Sequence, residues 1–95
     1  ATNKKIALTD EQFAAISRAL ADPRRYAMLR QIAAAGEMAC CSLEEQSIIS
    51  PATISHHLKE LAEAGLIEVE REGRIANLHM RRPVFEAYLA RLSSL

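Results

Sequence analysis

Residues 50–58 read SPATISHHL, and this stretch predicts the start of an amphipathic helix. Ser50 suits the N-cap position, and Pro51 suits the first turn, where its missing N–H would have no partner. Gly65 predicts the end of the helix because glycine adopts the left-handed cap most easily. At about 100° per residue, one face collects the residues expected to be buried: Ile54, Leu58, Leu61 and Gly65.

The opposite face of this helix is polar and changes in charge along its length. It holds Ala52, His56, Lys59 and Glu63, flanked by Thr53, Ser55 and Glu60. Residues 51–59 contain no acid, whereas both acids lie in the second half. Small residues permit close approach to DNA, and hydroxyl and imidazole groups can hydrogen bond to base edges. This face therefore predicts either a major-groove reader or an ordinary solvated face.

The surrounding sequence predicts a helix-turn-helix followed by a hairpin. Further helices are predicted over 9–20 with a capping box from Thr9 and Gln12, over 23–35 after an Asp22 cap, over 42–47 with a capping box from Ser42 and Glu45, and from Pro83 onward. Alternating apolar and polar residues over 66–80 predict a two-stranded hairpin. The fold class expected is mainly α: a winged helix-turn-helix with a two-stranded wing.

The predicted wing carries a candidate phosphate contact at its tip. Arg71 and Arg74 flank Gly73, from where they can reach phosphate or the minor groove. Four other arginines are weaker candidates, since arginines at helix starts are often only solvated: Arg24, Arg25, Arg81 and Arg82. The formal net charge is zero, so the distribution of charge must support DNA binding. His57 lies near the core boundary and is expected to form a structural hydrogen bond.

Composition predicts one globular domain over residues 1–95. Hydrophobic residues make up 49% and charged residues 25%, which is typical of a globular rather than a disordered chain. The two cysteines, Cys40 and Cys41, are adjacent and form no spread framework, so a reducing, cytoplasmic compartment is expected. No signal peptide or membrane span is recognised. An enzyme is not expected, because the chain lacks a glycine-rich phosphate loop, a carboxylate pair and a triad.

Four stretches resemble the arsenical-resistance-repressor (ArsR) family of bacterial winged-helix regulators. They are ALADPRR at 19–25, SPATISHHLKEL at 50–61, AGLI at 64–67 and REGR at 71–74. The resemblance implies a homodimer formed by the first and last helices, which binds an inverted repeat in a promoter and represses a small operon. It also implies, for many members, release of DNA when a metal, a metalloid or an oxidant binds. The apolar last helix independently suggests a covered surface.

The family resemblance makes Cys40 and Cys41 candidate effector or redox residues. In arsenic-sensing members a Cys-x-Cys pair opens the third helix, and here Cys41 matches the second cysteine while Ala39 replaces the first. The residues by themselves favour the structural interpretation, in which both cysteines are small buried hydrophobes, because free cysteine is among the most buried residue types. Zinc-sensing members imply His and carboxylate ligands along the last helix, which has Glu86 and no His. His79 precedes that helix alone, so no metal site and no required cofactor are expected.

The sequence thus predicts a sequence-specific repressor whose partners are double-stranded DNA and a second copy of itself, and no membrane. The predicted DNA-binding residues are Ser50, Ala52, Thr53, Ser55, His56, Lys59, Arg71 and Arg74. A winged-helix module that binds only protein is the alternative, and the zero net charge is its main support.

Overall fold

The computed structural model describes residues 6–46 and 49–95 and confirms the winged helix-turn-helix. Its elements in chain order are α1 Asp10–Leu20, α2 Pro23–Ala35, β1 Glu37–Ala39, α3 Cys40–Gln46, α4 Pro51–Glu63, β2 Ile67–Glu72, β3 Ile75–Met80 and α5 Arg82–Ser93. None of the helices in these residues is long and apolar enough to cross a bilayer.

The first two helices begin at the caps that the sequence predicts. Gln12 N donates to Thr9 Oγ1 at 3.1 Å, and Thr9 N donates back to Gln12 Oε1 at 3.0 Å, which completes the capping box. Asp22 Oδ1 accepts from Arg24 N at 2.8 Å at the start of α2. These local bonds satisfy backbone N–H groups that the helix cannot, so short-range sequence is sufficient to place both starts.

The sheet has three antiparallel strands in the order β1-β3-β2, so the two-stranded wing predicted from sequence was incomplete. The additional strand, β1, is three residues long and pairs Met38 with Leu78. Three residues are too few to show an alternating pattern. The strand forms because β3 has a second edge whose backbone groups need partners.

Helix α3 begins earlier than predicted. Its first residue is Cys40, directly after β1, so Ser42 lies inside the helix and is not its N-cap. The predicted end at Ser47 lies outside the described residues. The chain passes from strand to helix without a connecting loop, which leaves no room for the expected cap.

The core lies between the helices and the inner face of the sheet. Its largest fully buried side chains are Ile16, Ile32, Leu43, Ile54, Leu61, Leu66 and Leu78. At the end of α4, Leu66 N donates to Leu61 O and Gly65 N to Ala62 O, both at 3.0 Å, with Gly65 at φ +83°. This Schellman arrangement fixes the direction in which the chain leaves α4 and enters β2.

Candidate nucleic-acid interface

Helix α4 separates an anchoring face from a free face. Ile54, Leu58 and Leu61 are buried, as predicted, whereas Ala52, Ser55, His56 and Lys59 are exposed. Lys59 Nζ lies 4.0 Å from Glu63 Oε1, and both side chains are largely exposed. A pair of this kind is weak, so the ammonium can exchange its partner for a phosphate at little cost.

The first turn of α4 uses two of the predicted site residues for capping. Ser50 Oγ accepts from Thr53 N at 3.3 Å and lies 2.9 Å from Thr53 Oγ1. Thr53 is half-buried, and Ser50 is exposed. Their hydroxyls therefore stabilise the helix N-terminus, and the exposed side chains of Ser55 and His56 point outward from the helix.

His57 belongs to the buried face and not to the free one. Its side chain is only 6% exposed, and its Nδ1 lies 3.4 Å from Arg25 Nη1. Arg25 Nε also donates to Ala19 O at 2.8 Å, at the end of α1. This arginine therefore connects α1 to α4 through α2. Arg25 therefore has a structural role, and no sequence motif predicted its contact with His57.

Asp22 completes this polar junction. The backbone N–H of Arg24 that donates to Asp22 holds the pKa of the Asp22 carboxyl below its ordinary value, and the Arg25 N–H and guanidinium act in the same direction. Asp22 Oδ2 lies 3.9 Å from Arg25 Nη1. The residue that caps α2 thus also supports the arginine that contacts α4.

The wing turns more tightly than the sequence suggested. Glu72 pairs with Ile75, so the loop consists only of Gly73 and Arg74. Gly73 has φ +60°, and no non-glycine residue in the described chain has a positive φ. A glycine of this kind at the first of two loop positions is typical of a type II′ hairpin turn. Arg74 is thereby presented at the tip, while Arg71 lies on β2 opposite Ala76.

The wing and α4 share an open groove. Its polar rim consists of Ser55, Lys59 and Arg71. Its walls also include Cys40, Leu58, Ala62, Val69, Ala76 and Leu78. Among the described residues, neither Arg71 nor Arg74 forms a salt bridge. The structure therefore brings three predicted residues from two segments, α4 and the wing, to one concave, cation-bearing surface.

Comparison with known proteins identifies the family of this fold. A family model described as a helix-turn-helix domain matches residues 20–70. The uncharacterized HTH-type transcriptional regulator YceK of Bacillus subtilis (strain 168) is 35% identical over 83 residues, 85% of this chain and 83% of the relative. The arsenical resistance operon repressor of Staphylococcus xylosus is 33% identical over 70 residues, 74% of this chain and 64% of the repressor.

A solution structure extends the match to nearly the whole chain. It is the homodimeric winged helix-turn-helix DNA-binding domain of a possible ArsR-family transcriptional regulator from Mycobacterium bovis. The TM-score is 0.73 at 26% identity, with 94% of this chain and 89% of that chain covered. This chain belongs to the ArsR family of transcriptional regulators. It is an ArsR-family regulator with a DNA-binding winged helix-turn-helix.

The two cysteines of this ArsR-family chain lie in the first turn of α3. Cys40 is partly buried and packs against the core, whereas Cys41 is exposed, and no disulfide joins them. The expectation that both are buried is thus wrong for Cys41. Consecutive helix positions point about 100° apart, so the two thiols project in different directions and do not form a preorganised pair.

The terminal helices of the ArsR-family chain pack on each other and leave an apolar strip outside. The Phe13 and Tyr88 ring centroids are 5.0 Å apart, and Ser17 Oγ lies 2.9 Å from Tyr88 Oη. On the outer side of α5, Leu89 and Leu92 are 46% and 39% exposed. Exposed leucines three positions apart on one helix form a continuous apolar strip, as an interface helix requires.

Proposed function

We propose that the chain is a homodimeric, sequence-specific transcriptional repressor. In this proposal the N-terminal half of α4 lies in the major groove of an inverted-repeat operator. The observation that carries it is the groove shared by α4 and the wing, whose rim holds Ser55, Lys59 and Arg71. A helix face whose N-terminal half carries no acid, beside an arginine-bearing hairpin, is complementary to the shape and charge of duplex DNA.

The exposed residues of α4 divide into two roles. Ala52, Ser55 and His56 are small or carry hydrogen-bonding groups, so they are the proposed base readers, together with the Thr53 methyl. Lys59 lies one turn further along and contacts phosphate as a point charge. Ser50 contributes through its cap, which orients the N–H groups at the helix start toward a phosphate.

The apolar strip on α5 supports the dimer. In this proposal Leu89 and Leu92 are covered by a second copy. The similar domain from Mycobacterium bovis is homodimeric, which supports a dimer. A two-fold dimer places its two α4 helices about one turn of DNA apart, that is, about 10 base pairs centre to centre. The operator expected is therefore a palindrome with that half-site spacing.

A thiol-reactive effector is the proposed signal for release. Cys40 lines the same groove as Ser55 and Arg71, so a group added to its sulfur occupies space beside the DNA contacts. Cys41 is the exposed thiol and the more accessible to an oxidant. Support for a metalloid comes from the arsenical resistance operon repressor among the relatives. The test compares operator affinity with and without arsenite, antimonite or a mild oxidant; equal affinity refutes this step.

DNA binding itself is tested with the promoter region of the chain's own gene. Fluorescence anisotropy on duplex fragments measures affinity, and hydroxyl-radical footprinting locates the half-sites. Lys59→Ala is expected to weaken binding to every sequence, whereas His56→Ala also changes the preferred base at one position in each half-site. If the wild-type protein shows no preference for any inverted repeat at low salt, the proposal is refuted.

A further inference from the structure

The outer face of the wing carries an imidazole between carboxylates. His79 on β3 pairs with Glu68 on β2 and with Glu37 on β1, so all three side chains lie on the same face of the sheet. Glu70 lies two residues beyond Glu68 and projects to the same side. The sequence placed His79 alone, and this expectation was wrong, because strand register brings residues from distant positions together.

The distances in this cluster match those around a metal ion. His79 Nε2 lies 3.6 Å from Glu68 Oε2 and 3.4 Å from Glu70 Oε1. With Zn–N and Zn–O bonds of about 2.1 Å, two ligand atoms of a tetrahedral site lie about 3.4 Å apart. One ligand atom from each of the three side chains lies within 4.8 Å of the other two.

The imidazole nitrogen that faces this cluster has no hydrogen-bond partner. His79 Nε2 is shielded from solvent and makes no hydrogen bond within the described residues. Neither nearby carboxylate forms a hydrogen bond with it, because Glu68 Oε2 lies too far away at 3.6 Å and Glu70 Oε1, at 3.4 Å, is not aligned for one. A shielded polar atom without a partner lowers the stability of the fold, and a cation bound between the three side chains would give the His79 Nε2 atom a ligand bond.

We propose that Glu68, Glu70 and His79 form a binding site for a borderline divalent cation of the Zn²⁺, Co²⁺ or Ni²⁺ class. One imidazole and two carboxylates suit these ions, whereas an all-oxygen site would suit Mg²⁺ or Ca²⁺. Glu68 and Glu70 are half-exposed, which leaves water free to complete the coordination. The site lies on the wing strands and uses neither cysteine nor any residue of α5.

The experiment titrates the full chain with Zn²⁺ by calorimetry and with Co²⁺ by visible absorption. Removing both carboxylates as Glu68→Gln/Glu70→Gln is expected to weaken Zn²⁺ binding by at least about tenfold, since even second-shell changes reach that size. Glu72→Gln/Glu86→Gln is the matched control, because it neutralises two exposed acids outside the cluster and should leave affinity unchanged.

Two further measurements make the outcome decisive. Cys40→Ser/Cys41→Ser should retain Zn²⁺ binding; if it abolishes binding that Glu68→Gln/Glu70→Gln retains, the ion sits on the thiols and the proposal is wrong. In wild-type protein, Zn²⁺ should shift the His79 ring signals in NMR spectra, a readout that needs no variant. Unchanged His79 signals at saturating Zn²⁺ overturn the proposal.

Discussion

The wing arginines give the sharpest test of DNA binding, because the salt dependence of the affinity measures their contacts with phosphate separately from contacts with bases. Arg74 sits in the two-residue turn and Arg71 on the groove-facing side of β2. Removing one cation from a phosphate makes the slope of log K against log salt shallower by about 0.9, so Arg74→Ala in a dimer reduces it by about 1.8. Between 50 and 200 mM salt, that difference amounts to about 12-fold in affinity.

The double variant extends the same arithmetic. Arg71→Ala/Arg74→Ala removes about four guanidinium groups per dimer, so the slope falls by about 3.6 and the difference over the same salt range is about 150-fold. Fluorescence anisotropy with one operator duplex at several salt concentrations measures the slope. Arg30→Ala, at an exposed arginine on α2 outside the proposed interface, is the charge-matched control for the single variant Arg74→Ala. Equal slopes for wild type and the double variant would refute wing contact with phosphate.

Three other predictions test the scaffold. Ile54→Ala, at a fully buried position of α4, should lower the free energy of unfolding by about 2–5 kcal/mol in urea titrations. Leu89→Glu/Leu92→Glu should shift sedimentation from dimer to monomer and weaken operator binding, and an unchanged dimer would contradict the proposed interface. The Asp22 pKa is lower in the folded chain than its ordinary 3.8, so its carboxylate stabilises the fold above the unfolded pKa, and this stabilisation disappears as pH falls through the folded one. Asp22→Asn should therefore reduce the loss of unfolding free energy as the pH falls below about 5, measured by urea titrations at several pH values.

Local chemistry made the helix starts and the free face of α4 predictable. Thr9, Asp22 and Ser50 are caps whose partners lie two or three residues away, so their contacts follow from short-range sequence. The period of 3.6 residues likewise separated Ile54 from His56 before any tertiary contact was known. These features depend only on neighbours along the chain, which is the information that a sequence displays directly.

Features that depend on distant pairing could not be predicted in this way. Strand β1 forms only because β3 offers it an edge, and the contact between Arg25 and His57 spans 32 residues. The cluster around His79 requires the register that aligns it with Glu68. A single sequence does not show which of its many polar residues will meet across such separations, so the structural role of Arg25 was not predicted.

The alternation of side chains along β2 resolves how a chain of zero net charge can bind DNA. Successive residues of a strand point to opposite faces, and Val69 and Arg71 line the groove beside α4. Glu68, Glu70 and Glu72 therefore project to the other face of the sheet, away from that groove. Because electrostatic interaction weakens with distance, the cations that line the groove act on a phosphate placed there more strongly than the acids on the far face of the sheet. The same alternation that places Arg71 in the groove concentrates acids around His79 on the outer face, so the proposed DNA-binding surface and the proposed cation site are two consequences of one strand pattern.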